Sequence, residues 1–167
     1  MKIETIKQTG KQLTGMIATA SVLAALSAAA AHADGRDVEL SPGFTPDPKQ
    51  RSYISGGGND ASSEYGEDVF GNSCIGHIAD TPDHRMTLTD DFDYLRIWNE
   101  SDGDTTLVID GPGFLVFCDD DSGSGLNELI EANDWPAGTY DIYVGSYGSG
   151  DFHRYDLFFS ELPFVGP

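Results

Sequence analysis

Three consecutive carboxylates, Asp119, Asp120 and Asp121, open the segment most able to do chemistry. They are followed by Ser122-Gly123-Ser124-Gly125-Leu126-Asn127. Adjacent carboxylates repel one another unless water or a cation lies between them. Ca²⁺ takes six to eight oxygens from carboxylates, amide carbonyls and backbone, which an Asp-Gly-Asn loop supplies. Counted from Asp120, Gly125 falls at position six and Glu131 at position twelve, as in an EF-hand. Ser122 and Ser124 stand where that loop wants Asp or Asn, however, and the preceding residues read as strand, so an EF-hand is rejected. The expectation is an irregular calcium loop over this segment. Its rival is an acidic hairpin end whose Asp side chains cap backbone amides.

Hydrolytic chemistry finds less support. Ser124 lies in Ser-Gly-Ser-Gly and not in G-x-S-x-G, and reads as a loop tip. His77, His84 and His153 have no partner histidine at helical spacing, and no HExxH occurs. Carboxylate pairs of the glycosidase kind are too abundant among Asp90, Asp91, Asp93 and Asp119–Asp121 to single one out. The reading is of a non-enzyme with no catalytic residues. Trp98, Tyr143, Tyr147, Phe152 and Tyr155 form a candidate platform for sugar or peptide, set against ordinary core packing.

The elements that must position these residues are β-strands. Short apolar runs occupy Cys74–Ala79, Arg85–Thr89, Tyr94–Asn99, Thr105–Asp110, Phe114–Asp119, Thr139–Ser146 and Arg154–Glu161. In the last two, Tyr140, Ile142 and Val144, and then Tyr155, Leu157 and Phe159, recur every second residue, as half-buried strands require. Ser101-Asp102-Gly103-Asp104, Gly111-Pro112-Gly113 and Trp135-Pro136-Ala137-Gly138 supply turns. One helical turn is expected around Asn127–Ala132. The pattern predicts an all-β, antiparallel, jelly-roll-like β-sandwich of about eight strands over 67–167, with an open barrel as the alternative.

Residues 34–66 are rich in Pro, Gly, Ser and Asp and read as an extended lead-in, with one short strand at Arg51–Ser55 and disorder as the rival for part of it. Residues 1–33 read as a signal peptide. Lys2, Lys7 and Lys11 precede an apolar, small-residue run that ends in Ala31-His32-Ala33, an A-x-A site. That run is too poor in Leu and Ile for a strong membrane span, so no membrane insertion is expected after cleavage. Export makes a Cys74–Cys118 disulfide the expected state of the two cysteines, with buried free thiols as the alternative. Closing a loop of that length stabilises a fold by roughly 4 kcal/mol.

The whole chain carries 28 acidic and 9 basic residues. Without Glu4 and the three lysines, the remainder is 27 acidic against 6 basic. Such a surface excludes nucleic acid, whose phosphates need Lys and Arg, and excludes anionic lipid for the same reason. Solubility, a salty medium and cation binding remain.

From Tyr94 to Glu161 the chain resembles the bacterial pre-peptidase C-terminal domain family. The likeness rests on Gly103-Asp104-Thr105-Thr106-Leu107-Val108-Ile109, Cys118-Asp119-Asp120-Asp121-Ser122-Gly123, and Asn127 with Ile130. It continues through Trp135-Pro136-Ala137-Gly138-Thr139-Tyr140, Val144-Gly145 and Tyr155-Asp156-Leu157. The resemblance implies a β-sandwich accessory module of the kind attached to secreted proteases, with related collagen-binding domains that adhere to substrate and bind calcium. It carries over Asp119, Asp120, Asp121 and Asn127 as the expected metal ligands. No protease domain precedes the motifs here, so a standalone secreted or periplasmic member is expected, with a protein or polysaccharide ligand. A structural envelope protein with no specific ligand and a small hydrolase are the alternatives.

Overall fold

The computed structural model describes residues 36–167; the expected signal segment lies outside the described residues. In chain order the elements are β1 (Val38–Leu40), β2 (Lys49–Ile54), β3 (Asn59–Asp60), α1 (Ala61–Tyr65), β4 (His77–Ile78), β5 (His84–Leu88) and β6 (Phe92–Ser101). They continue with β7 (Thr105–Gly111), β8 (Leu115–Asp119), β9 (Leu129–Trp135), β10 (Gly138–Ser146) and β11 (Arg154–Ser160).

The strands form two sheets. In the four-stranded sheet the order is β2-β11-β6-β9, antiparallel throughout. In the seven-stranded sheet β10 is the central strand: β5 and then β4 pair along one side, β7 along the other. β1 extends the sheet beyond β5, β3 beyond β4, and β8 beyond β7. The sheets stack because strand alternation gives each one apolar face. Met86, Leu88, Leu107, Ile109, Tyr140, Ile142 and Val144 from one sheet meet Leu95, Ile97, Ile130, Trp135, Tyr155, Leu157 and Phe159 from the other in a single core. The molecule is an all-β sandwich.

Several expectations change. β1 runs parallel to β5, against the all-antiparallel expectation. The chain leaves β1, crosses to the other sheet as β2 and returns before β5, and so long a crossover lets the two strands run the same way. The segment read as a lead-in therefore supplies strands to both sheets. The helical turn expected around Asn127–Ala132 is strand: β9 pairs with β6, Arg96 opposite Glu131 and Trp98 opposite Leu129.

The Cys74–Cys118 disulfide is present, with the Cα atoms 5.1 Å apart. It does not join the two sheets. Cys74, Ala61, Ile78, Val108 and Cys118 form a second buried cluster, with Tyr65, Val116 and Tyr143 packed against it. Val108 and Tyr143 alternate with residues of the main core, so they lie on the outer face of the seven-stranded sheet. The segment from α1 to Cys74 covers that face, and the bridge fastens the cover to β8. Asp60 caps α1 by accepting from the Ser63 amide at 3.1 Å, and Asp68 accepts from the Phe70, Asn72 and Cys118 amides.

Candidate functional site

Register brings acidic residues from the two segments flanking the β7–β8 hairpin to one end of the sandwich. β7 pairs with β8 so that Leu107 faces Asp119. Continued by three residues, the same register sets Asp104, just before β7, beside Ser122 in the chain after β8. Carboxylate oxygens of Asp104, Asp120 and Asp121 lie within 4.8 Å of one another. Burial raises the Asp120 carboxyl to about 6, helped by the negative charges of Asp121, Asp104 and Asp119. Burial and then Asp121 also raise Asp104, with His153 pulling the other way. Asp120 Oδ1 is shielded from solvent and has no hydrogen-bond partner. An all-carboxylate set with an orphaned oxygen is the donor chemistry of a hard cation such as Ca²⁺.

The other two expected ligands shape the loop. Asp119 Oδ2 accepts from the Ser122 amide at 3.0 Å and the Leu129 amide at 2.8 Å, and Oδ1 accepts from the Ser122 hydroxyl. Asn127 Oδ1 accepts from the Ser101 amide at 2.8 Å, and its Nδ2 donates to the Ser124 carbonyl at 3.0 Å. The first fixes the loop's base and the second ties it to the β6–β7 turn. Of the four expected residues, Asp120 and Asp121 converge, and Asp104 joins them from the Ser101–Asp104 turn, which carries no ligand expectation in the sequence. A hairpin register drawn through Gly111-Pro112-Gly113 would have found it.

Behind the cluster lies a buried polar triad. Asn99 Nδ2 donates to Thr105 Oγ1 at 2.9 Å, Thr105 Oγ1 donates to Glu128 Oε2 at 3.1 Å, and the Glu128 amide donates to Asn99 Oδ1 at 3.0 Å. Burial raises Glu128 to about 8, so it keeps its proton at neutral pH. Thr105 directly follows Asp104, and the triad holds that strand start in place.

The remaining candidates separate. Tyr147, whose amide donates to the Asp104 carbonyl at 3.1 Å, and Phe152 are exposed near this end. Trp98 and Tyr155 are buried, and Tyr143 packs against the second cluster. His84 is fully buried with both ring nitrogens hydrogen-bonded, while His153 lies against Gly103, where a Cβ would fall 2.1 Å from the ring.

No family model matches the chain. The uncharacterized protein Synpcc7942_2126 of Synechococcus elongatus is 31% identical over 141 residues, covering 82% of this chain and 90% of that protein. Among solved structures, the pre-peptidase C-terminal domain of collagenase from Bacillus anthracis is similar at a TM-score of 0.45 and 11% identity, covering 74% of this chain and 94% of that one. Aeromonas hydrophila PliG, a periplasmic lysozyme inhibitor of g-type lysozyme, is similar at a TM-score of 0.39 and 11% identity, covering 75% and 96%.

Proposed function

We infer that this chain, which belongs to the same family as the Synechococcus elongatus protein, is an extracytoplasmic, non-catalytic binding module of the pre-peptidase C-terminal kind. Asp104, Asp120 and Asp121 hold a calcium ion, and the loop end around it meets a protein or polysaccharide. The observation that carries this reading is the convergence of the three carboxylates from the two chain segments that flank the β7–β8 hairpin. Three like charges so close together oppose folding, and a divalent cation turns that repulsion into a cross-link between the β6–β7 turn and the β8–β9 loop. The exposed rings of Tyr147 and Phe152 offer apolar contact at the same end.

Two further features support the reading. The disulfide suits an oxidising compartment outside the cytoplasm. The sequence motifs of the resemblance fall in β7, the β8–β9 loop, β10 and β11, the elements that build and brace this end.

Melting the purified protein in EDTA and in millimolar Ca²⁺ at matched ionic strength tests the site. A ligand at a hundred times its Kd adds about 2.7 kcal/mol, a rise on the order of 5–10 °C for a domain of this size. Asp120→Asn combined with Asp121→Asn should abolish that rise. Identical melting in EDTA and calcium would remove the metal and favour an envelope protein with no specific ligand.

A further inference from the structure

Tyr94, Arg96, Trp98 and Glu100 alternate along β6 with the inward residues Leu95, Ile97 and Asn99, so they belong to the outer face of the four-stranded sheet. An outer face should be wet. Arg96 nevertheless is 7% exposed and Trp98 2% exposed. The cover is the chain's own segment 162–167. Arg96 donates through Nη1 to the Pro163 carbonyl at 3.2 Å and through Nη2 to an oxygen of Pro167. Gly166 lies flat on the indole, where a Cβ would fall 2.6 Å from Trp98 Cε2.

The surface beneath is preassembled. Trp98 stacks on Phe158, its partner in register, with ring centroids 5.1 Å apart and planes 12° off parallel. Glu131 orients the guanidinium by accepting from Arg96 Nη1 at 3.0 Å, and it also accepts from the Tyr94 hydroxyl at 2.8 Å. The covering segment is not held by its large apolar groups: Phe164 is 96% exposed and Leu162 49%. It is held by backbone oxygens on a guanidinium and by Gly166 packed on an aromatic plane. Aromatic surfaces of this sort receive extended, proline-containing peptides, whose backbones are already ordered. Past Pro167 the face opens into a groove of about 1000 Å³, lined by Ser52, Glu100, Asp102, Arg154 and Asp156. Three carboxylates against one guanidinium favour basic side chains there.

We propose that the outer face of β6 and β11 is a docking platform for an extended, proline-containing, basic segment of a partner protein, and that residues 162–167 are an intramolecular stand-in which keeps it covered. This deepens the binding-module reading by naming a partner class, and it draws nothing from the carboxylate cluster.

The probe is a synthetic peptide of the covering sequence followed by two lysines, Leu-Pro-Phe-Val-Gly-Pro-Lys-Lys, with a second peptide ending in two aspartates. The chain has two tryptophans, and Trp135 is buried in the main core, so changes in emission report Trp98. In the full-length Gly166→Val variant the side chain cannot fit over the indole. Emission should shift to longer wavelength and acrylamide quenching rise severalfold, with an unchanged circular dichroism spectrum. The lysine peptide should reverse both effects at least tenfold more tightly than the aspartate peptide, and should bind wild type at least tenfold more weakly than the variant. If Gly166→Val perturbs the fold, Gly166→Ala gives the same readout with a smaller group. Shielding of Trp98 that survives both substitutions, or release that neither peptide reverses, overturns the proposal. Release accompanied by dimerisation overturns it in favour of exchange of this segment between copies. The titration is repeated in EDTA, where absence of a calcium site leaves the peptide result unchanged.

Discussion

At the scale of single residues, burial sets three protonation states. The Arg36 carbonyl 2.8 Å from His84 Nδ1 can only accept, so that nitrogen carries the hydrogen. Nε2 is then the acceptor for the Tyr155 hydroxyl at 2.7 Å, and the imidazole is neutral. Burial lowers His84 to about 4, and burial raises Asp83 to about 7 even though the Val144 amide donates to it at 2.8 Å. Glu128 stands at about 8. An acid held above its unfolded value binds its proton more tightly when native. Its contribution is complete below the unfolded pKa and disappears as pH rises through the folded one. Asp83 therefore loses stability between 3.8 and about 7, and Glu128 between 4.5 and about 8. His84 is a depressed base with the opposite sign, stabilising above 6.5 and failing as pH falls toward about 4. From pH 6.5 to 8 the two acids dominate, in the same direction, while Asp120 and the tail of His84 add smaller and opposing contributions. Stability should fall by on the order of 2 kcal/mol across that interval. Denaturant titrations in EDTA would show it, and Asp83→Asn with Glu128→Gln should flatten the profile. A wild-type profile already flat there would contradict buried protonated carboxyls.

At the scale of elements, close backbone crossings decide what the sheets tolerate. Gly57 lies between β2 and β3, and a Cβ on it would fall 2.0 Å from the Ile78 carbonyl. Backbone cannot swing aside as a side chain does. Gly57→Ala should push the β3–β4 pair away from β10, lowering stability by about 1–3 kcal/mol. Gly58→Ala meets nothing within 4 Å and should stay within about 0.5 kcal/mol of wild type. Equal denaturant midpoints for the two variants would refute the crossing. The same dependence on long-range pairing explains what the sequence concealed. β5, β10 and β11 could be read because alternation over five or more residues identifies a face, and β7 because Leu107, Val108 and Ile109 form a short apolar run. β1 and β3 hold three and two residues, too few to show a period. The start of β9 reads as a helical turn because Asn, Asp and Glu interrupt its apolar residues; its identity as strand comes from pairing with β6. Asp120 and Asp121 could be picked out as consecutive carboxylates, whereas Asp104 enters the cluster only through the β7–β8 register. Trp98 could be noticed as an aromatic but not placed, because its burial depends on a segment more than sixty positions later folding back over it.

At the scale of the whole molecule, two buried regions share one sheet. The main core lies between the sheets, and the second cluster lies on the far side of the seven-stranded sheet beneath residues 61–74. The disulfide belongs to the second region alone. Its sequence separation of 44 residues makes it worth about 4 kcal/mol if all the stabilisation comes from restricting the unfolded chain. The geometry predicts where that loss appears. Without the bridge, α1 and the loop to Cys74 keep the Asp68 contacts and a small apolar patch, while the sandwich keeps all of its inter-sheet packing. In Cys74→Ser with Cys118→Ser, amide exchange should accelerate first and most in residues 59–78 and along β8, the strand the bridge fastens. β6, β11 and the centre of β10 should change only with global stability. Hydrogen exchange resolved by segment distinguishes the cases. Uniform acceleration would mean that the bridge holds the sandwich as one unit, and unchanged protection over 59–78 would mean that packing alone secures the cover.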